Sequence, residues 1–121
     1  MITVIRMKVS AAQYTASNDM QQNWQIIQQY VQQATSHNSE LLLLPEVCFS
    51  LGKQYADAIE FSYEQIVSLL SQAAKQNQIH IIAGSVKKPL VNSNKAHANA
   101  LVFDIDFTII KNKFCIKYIK G

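Results

Sequence analysis

The chain has 121 residues, 49% of them hydrophobic, which is enough for one domain with a buried core. Its formal charge of +3 is uneven, because residues 111–121 hold four lysines and no acid, whereas residues 1–110 hold 7 bases and 8 acids. A nearly neutral body argues against a broad basic face, so we expect no nucleic-acid partner.

Membrane and metal sites are not predicted either. No apolar run approaches the about 20 residues that span a bilayer, and residues 1–6 lack the features of a signal peptide. We therefore expect a cytoplasmic protein with no membrane partner. In that reducing compartment, Cys48 and Cys115 should be free thiols. They lack metal-ligand spacing and the three histidines are scattered, so no metal site is expected.

Hydrophobic periodicity predicts a strand and then a helix at the start of the chain. The strand covers residues 3–13, and residues 15–19 form a polar turn. Apolar residues recur at helical spacing over residues 20–36, and the polar run 37–39 ends this helix. The candidate helix caps are Ser17, Asn18 and Asp19.

The run Leu41–Leu44 is too short for a separate buried helix and is predicted to be a strand buried on both faces. Pro45 ends it, because proline cannot donate a hydrogen bond to a ladder. Glu46 then lies at the carboxyl end of this strand, the edge where open α/β sheets place their ligand sites. A carboxylate there is expected to be poorly solvated and suited to act as a general base. The alternative is that Glu46 caps the next segment or pairs with a lysine.

The rest of the chain predicts one more helix and three more strands. Ser62 and Gln65 match a capping box that opens the helix, which ends at Asn77 and Gln78. Gly84 can allow a close approach of two backbones. The remaining predicted segments are a loop at 47–61, a strand at 79–86, a polar loop at 87–95, a strand at 97–104 and a returning strand from residue 108. This order favours an α/β or α+β layered protein with a mixed sheet.

Four collinear elements resemble the opening half of the carbon–nitrogen hydrolase (nitrilase) superfamily. They are residues 8–13, Asn23 on the first helix, residues 41–46 and residues 98–104. The likeness extends to about residue 110 and residues 111–121 diverge, so residues 1–121 are expected to form one partial hydrolase domain. The resemblance implies half of a four-layer α-β-β-α sandwich, with homo-oligomer contacts through its helices. Without the second sheet, one apolar sheet face should be exposed and should drive association.

The resemblance also implies a chemistry. The family hydrolyses non-peptide carbon–nitrogen bonds of small amides or nitriles with a Glu, a Lys and a nucleophilic Cys, and Glu46 matches its catalytic base. The nucleophile belongs to the second half of the family domain, so these 121 residues alone should be inactive. A small carboxylated amide is favoured over a nitrile as the substrate. No cofactor is implied, because the chemistry needs only water and the three side chains.

The position of the lysine is open. The family has a Y-x-K-x-H-L stretch, and ungapped counting from Asp104 aligns its Lys with Cys115. Residues 113, 115 and 117 share one face of a strand, and a slip of two residues makes Lys117 the candidate. The alternative, which we favour, is that Lys113 and Lys117 are ordinary solvated strand residues. Cys48 is not expected to be the nucleophile, because the family's nucleophile follows a much later strand, and it should be a small buried hydrophobe.

Three hypotheses account for the divergent tail. The lost Y-x-K-x-H stretch, the charge shift and the missing second half favour a reading frame broken near residue 110 by a frameshift or an early stop. The chain can instead be a genuine short protein, used as a catalytically inactive interaction or dimerisation module. It can also be a fragment that assembles with a separately encoded second half.

Overall fold

The computed structural model of the chain describes residues 2, 6–49, 61–89 and 96–103. They form two helices and four strands in the order β1-α1-β2-α2-β3-β4. The helices are α1 (Met20–Ser36) and α2 (Tyr63–Asn77), and the strands are β1 (Val9–Ala11), β2 (Leu41–Leu44), β3 (His80–Pro89) and β4 (Ala96–Phe103). The predicted returning strand from residue 108 lies outside the described residues, as do Lys113, Cys115 and Lys117.

The strands form one sheet in the order β1-β2-β3-β4. The first three are parallel and β4 is antiparallel to β3, so the predicted α/β class with a mixed sheet is confirmed. Each parallel pair is joined through a helix. Such crossover connections are right-handed, and β1, β2 and β3 follow one another in the same direction across the sheet. Both helices therefore lie on the same face of the sheet.

Both helices begin with side-chain caps, Asp19 being one of the three candidates for α1 and Ser62 the predicted cap of α2. Asp19 accepts a hydrogen bond from the Gln22 backbone N–H at 3.0 Å and so caps α1. In α2, the Ser62 hydroxyl accepts from the Gln65 N–H at 3.1 Å, and the Gln65 side chain accepts from the Ser62 N–H at 2.8 Å. These bonds satisfy N–H groups that have no partner within the helix.

Both helices also end in the same way. Asn38 and Gln78 adopt left-handed backbone conformations, with φ of 59° and 51°. After α1, the Ser39 N–H donates to the Ala34 carbonyl at 2.9 Å. After α2, the Ile79 N–H donates to the Ala74 carbonyl at 3.0 Å. This is the Schellman arrangement, and it turns the chain directly into the next strand.

The core lies between the helices and one face of the sheet. Leu42 and Leu44 of β2 are 1% and 4% exposed, whereas Leu41 and Leu43 are only half-buried. The prediction that β2 is buried on both faces is therefore wrong, because among the described residues the helices cover only one face. The core side chains of this face are Leu42, Leu44, Ile81, Ala83, Leu101 and Phe103, which pack on Trp24, Ile27, Val31, Ile66, Leu70 and Ala74.

Two strands differ in length from the sequence prediction. β1 is limited to three residues, because its partner β2 is only four residues long and ends at Pro45. β3 continues through Lys87 and Lys88, where the sequence predicts the start of a loop. Its pairing with β4 accounts for the extension, since the antiparallel ladder runs to Pro89 opposite Ala96. Tertiary pairing here overrides the polar composition of the segment.

Candidate active site

The turn at residues 45–48, which we call the Glu46 turn, follows β2 at the carboxyl edge of the parallel strands. Glu46 is exposed. The expectation that its carboxylate is poorly solvated is therefore wrong, because the residues bonded to the turn hold its backbone and leave the Glu46 side chain exposed. Its position at the strand end agrees with the prediction, and the edge is where open α/β sheets bind ligands.

Ser85, a residue of β3, binds the Glu46 turn through both its hydroxyl and its backbone carbonyl. The Val47 N–H donates to the Ser85 hydroxyl at 2.6 Å. The Cys48 N–H donates to the Ser85 carbonyl at 3.2 Å. Ser85 is 4% exposed and Val47 is half-buried, so these bonds are largely shielded from solvent, and leaving one of their groups unpaired would cost free energy.

A β-bulge directs Ser85 toward this turn. Ala83 pairs with Leu101 and Val86 pairs with Asn99, so Gly84 and Ser85 together face a single residue of β4. A bulge of this kind bends its strand and redirects a side chain, and bulges are frequent beside functional sites. The buried Asn99 lies next to the irregularity, on the partner strand.

Val47 carries backbone strain. Its φ is 51°, in the left-handed region that a β-branched residue rarely adopts. Such a conformation costs about 1–3 kcal/mol and persists only where surrounding contacts impose it. The bonds to Ser85 on the residue itself and on its neighbour Cys48 supply those contacts.

Gly84 lies against the start of the same turn. A Cβ atom at this position would be 2.5 Å from the Leu44 carbonyl oxygen and 2.8–2.9 Å from the carbonyl group of Pro45. All three contacts are with backbone, which cannot swing aside as a flexible side chain does. The predicted close approach at Gly84 is confirmed, and it places the β3 backbone in contact with Pro45, the residue before Glu46.

Cys48 is fully buried behind the turn, as predicted. Burial raises the pKa of its thiol to about 12, so at neutral pH the group is protonated and a poor nucleophile. Tyr14 donates its hydroxyl to the Cys48 carbonyl at 2.9 Å. The pKa of Tyr14 is also raised, first by burial and then by the nearby Cys48 and Tyr30, so the hydroxyl stays a donor.

The residue after the turn is fixed by α1. Asn23, which is fully buried, donates its side-chain N–H to the Phe49 carbonyl at 2.5 Å and to the Ser17 carbonyl at 2.9 Å. Its side-chain oxygen accepts from the Ser17 N–H at 2.9 Å. The Phe49 ring stacks on Trp24 with centroids 5.8 Å apart. Bonds from α1, β3 and the segment after β1 therefore surround the Glu46 turn.

Of the two predicted site residues, Glu46 lies at this edge, and Lys117 lies outside the described residues. Sequence reasoning missed Ser85, Tyr14 and Val47. Gly84 is the one local signal in the sequence that points to these contacts. It indicates a close approach of two backbones, but it does not show which segment makes the approach. Among the described residues, no three His, Cys, Asp or Glu side chains lie together as metal ligands.

The sequence profile of the carbon–nitrogen hydrolase family matches residues 8–113, most of the chain. The chain belongs to the carbon–nitrogen hydrolase family. No curated protein sequence matches this carbon–nitrogen hydrolase chain. Neither α1 nor α2, the helices of the described residues, has the length and apolar character needed to cross a membrane.

Solved structures of the nitrilase superfamily share the fold. An amidase from Nesterenkonia sp. has 26% identity and a TM-score of 0.70, covering 88% of this chain and 43% of that one. Saccharomyces cerevisiae Nit3 has 22% identity and a TM-score of 0.68, over 86% and 42% of the two chains. The NitFhit protein of C. elegans has 18% identity and a TM-score of 0.72, over 85% and 26%. The chain thus spans less than half the length of these solved proteins, so its sheet and helices correspond to half of the fold.

Proposed function

We propose that this chain supplies the general-base half of an amidase-type carbon–nitrogen hydrolase, with Glu46 as the base. One observation carries the proposal. In a chain of this family, Glu46 lies exposed at the carboxyl end of β2, on a strained turn that is hydrogen-bonded to the buried Ser85. A carboxylate there is open to a reacting group while its backbone is fixed.

The reaction has two steps that share the base. The Glu46 carboxylate takes the proton of a cysteine thiol as the sulfur bonds to the amide carbon, and it passes that proton to the departing nitrogen as the C–N bond breaks. Ammonia leaves and a thioester remains. Water then attacks the thioester carbon and loses a proton to Glu46, and as the C–S bond breaks Glu46 returns that proton to the departing sulfur, which releases the thiol and the carboxylic acid.

The reaction also needs a fixed positive charge for the oxyanion that forms in each step. Lys117 is the candidate for that charge within this sequence, by the family resemblance and a slip of two residues. A thiol at position 115 cannot take that role, because it carries no positive charge.

The nucleophile is proposed to lie in a second half of the fold. Cys48 is fully buried with a raised thiol pKa, which counts against it as the nucleophile. Two of the solved relatives are more than twice as long as the matched region, which supports a partner segment of similar size. We therefore expect the 121 residues to be inactive alone, also as a homo-oligomer, and to work with a complementing second half.

An amide is proposed as the substrate rather than a nitrile. The Nesterenkonia sp. protein at 26% identity is an amidase, and acrylamide has been seen added to its active-site cysteine. A small carboxylated amide in the cytoplasm is the class we would test first. No cofactor enters, because water and the three side chains account for the atoms and protons of the reaction.

One observation favours a second candidate function, a catalytically inactive interaction or dimerisation module. The sheet face opposite the helices is apolar and only partly covered by described residues. It includes Val9, Leu41, Leu43, Ile82 and Val102. An apolar face of this kind marks a protein interface. A hydrolase half and a binding module both need that interface, so activity is what separates them.

The test is ammonia release from small amides by the chain together with a second half, which we call the assembled hydrolase. The second half is sought in the same gene, read past codon 121 in every frame, and in separate genes. We expect turnover by the assembly and none by the 121 residues alone. Ammonia release by the 121 residues alone would contradict the proposed division of the site. An assembly without turnover would favour the inactive module.

A further inference from the structure

Ser85 contacts the Glu46 turn through its hydroxyl and its carbonyl, which accept from consecutive backbone N–H groups. The arrangement requires Ser85 to leave regular strand geometry, and the bulge shared with Gly84 provides this. The bulge therefore allows Ser85 to hold the backbone of Val47 and Cys48 in place.

The Glu46 side chain is exposed, so core packing does not determine where its carboxylate points. The backbone torsions of the turn contribute to its direction, and the φ of 51° at Val47 is the strained one among them. A valine released from its hydrogen bond relaxes toward negative φ, because its Cβ clashes in the left-handed region. That relaxation rotates the peptide that joins Glu46 to Val47.

We propose that Ser85 is a positioning residue for the catalytic base: its hydroxyl holds Val47 in the left-handed conformation that aims Glu46 at the reacting group. This inference rests on the proposed role of Glu46 for its catalytic part. The structural part, that the hydroxyl imposes the Val47 conformation, stands independently of any activity. Ser85 itself is 4% exposed, so we assign it a role through the turn and not on the substrate.

The chain offers a matched control for the removal of this hydroxyl. Ser39 is 7% exposed, similar to Ser85, and its hydroxyl is hydrogen-bonded to that of Ser10. It lies just before β2, at the edge of the sheet opposite to the Glu46 turn. Ser39→Ala therefore removes a buried, bonded hydroxyl without touching the site, and Ser85→Thr keeps a hydroxyl at the site.

The first measurement is amide hydrogen exchange of Val47 in the 121-residue chain, with the β2 amides as an internal reference for the folded state. In Ser85→Ala, we expect Val47 to exchange at least about tenfold faster while the β2 amides keep their protection. Ser39→Ala should leave Val47 unchanged, and Ser85→Thr should restore its protection. Unchanged exchange of Val47 in Ser85→Ala would overturn the structural part of the inference.

The second measurement is the kinetics of amide hydrolysis by the assembled hydrolase. Ser85→Ala should lower kcat by about 10- to 100-fold, the range expected when a catalytic group is misplaced by about 1 Å, with KM changed less than twofold. Ser39→Ala should leave kcat unaltered, and Ser85→Thr should recover most of it. Equal kcat losses in Ser85→Ala and Ser39→Ala would show that the Ser85 hydroxyl contributes only to stability, and this would overturn the inference.

The two measurements separate the inference from the function on which it rests. If Glu46→Gln keeps normal turnover, the proposed function fails, whatever the exchange of Val47 shows. If Glu46→Gln is inactive but Ser85→Ala keeps full kcat and Val47 protection, the proposed function stands and the positioning role of Ser85 is wrong.

Discussion

At the scale of single residues, the site depends on side chains that keep one protonation state. Cys48 and Tyr14 are the two described groups with clearly raised pKa values, and burial is the largest cause in both. They meet at the Cys48 carbonyl, to which Tyr14 donates. A buried neutral thiol and a buried neutral hydroxyl support the backbone behind Glu46 without placing a second charge beside its carboxylate.

The reactivity of Cys48 follows from its burial. In the folded chain at pH 8, its thiol should react with iodoacetamide at least about 100-fold more slowly than in the chain unfolded in urea, because it is both enclosed and protonated. Peptide mass spectrometry separates Cys48 from Cys115. Alkylation of Cys48 at the same rate with and without urea would contradict the buried position.

The raised pKa of Cys48 also sets a direction for stability against pH. Its value is about 12 in the folded chain against 9.0 for an exposed thiol. Between these values the unfolded state binds fewer protons, so this contribution to the free energy of unfolding is intact below pH 9 and falls as the pH rises toward 12. Cys48→Ala should show a flatter decline over this window in urea titrations. An unchanged slope would count against the assignment.

At the scale of elements, sequence reasoning placed both helices and their caps, because capping residues act locally. The N-terminal bonds of Asp19 and Ser62 and the endings at Asn38 and Gln78 involve residues within a few positions of one another. Strand limits were predicted less well. β1 is short and β3 is long because of partners far away in sequence, which local composition does not reveal.

The capping box of α2 can be tested with a pair of identical substitutions. Ser62→Ala removes the acceptor of the Gln65 N–H and should lower the free energy of unfolding by about 1 kcal/mol. Ser68→Ala, at an exposed interior position of α2, should be neutral or slightly stabilising, because alanine has the higher helix propensity. Equal effects of the two substitutions in urea denaturation would show that the box contributes nothing.

The contact between β3 and the Glu46 turn predicts a large effect at Gly84. Gly84→Ala places a methyl group 2.5 Å from the Leu44 carbonyl oxygen, so β2 or the bulge must move. We expect a loss of about 1–3 kcal/mol of stability, as for an overpacked core. Chemical denaturation measures the loss. A Gly84→Ala chain as stable as the parent would mean that the two backbones are farther apart than described.

At the scale of the whole molecule, the described residues form half of the carbon–nitrogen hydrolase fold, and this half places Glu46, the proposed base, at the carboxyl edge of its parallel strands. The family, the mixed sheet and the position of Glu46 could be predicted from the sequence. The position of Glu46 follows because a hydrophobic run that ends at a proline shows where the strand ends. The exposure of Glu46, the strain at Val47 and the bonds from Ser85 could not be predicted. They arise from contacts between residues about 40 positions apart, and the sequence of either segment alone does not specify them.

The most direct test of the central claim is the rate of ammonia release by the assembled hydrolase carrying Glu46→Gln, compared with Glu40→Gln. Both substitutions remove one exposed carboxylate, at opposite ends of β2. Loss of a general base should lower kcat by about 100- to 10,000-fold for Glu46→Gln, and Glu40→Gln should retain the parent rate. Turnover of Glu46→Gln at the parent rate, with the fold intact by circular dichroism, would contradict the role of Glu46 as the base.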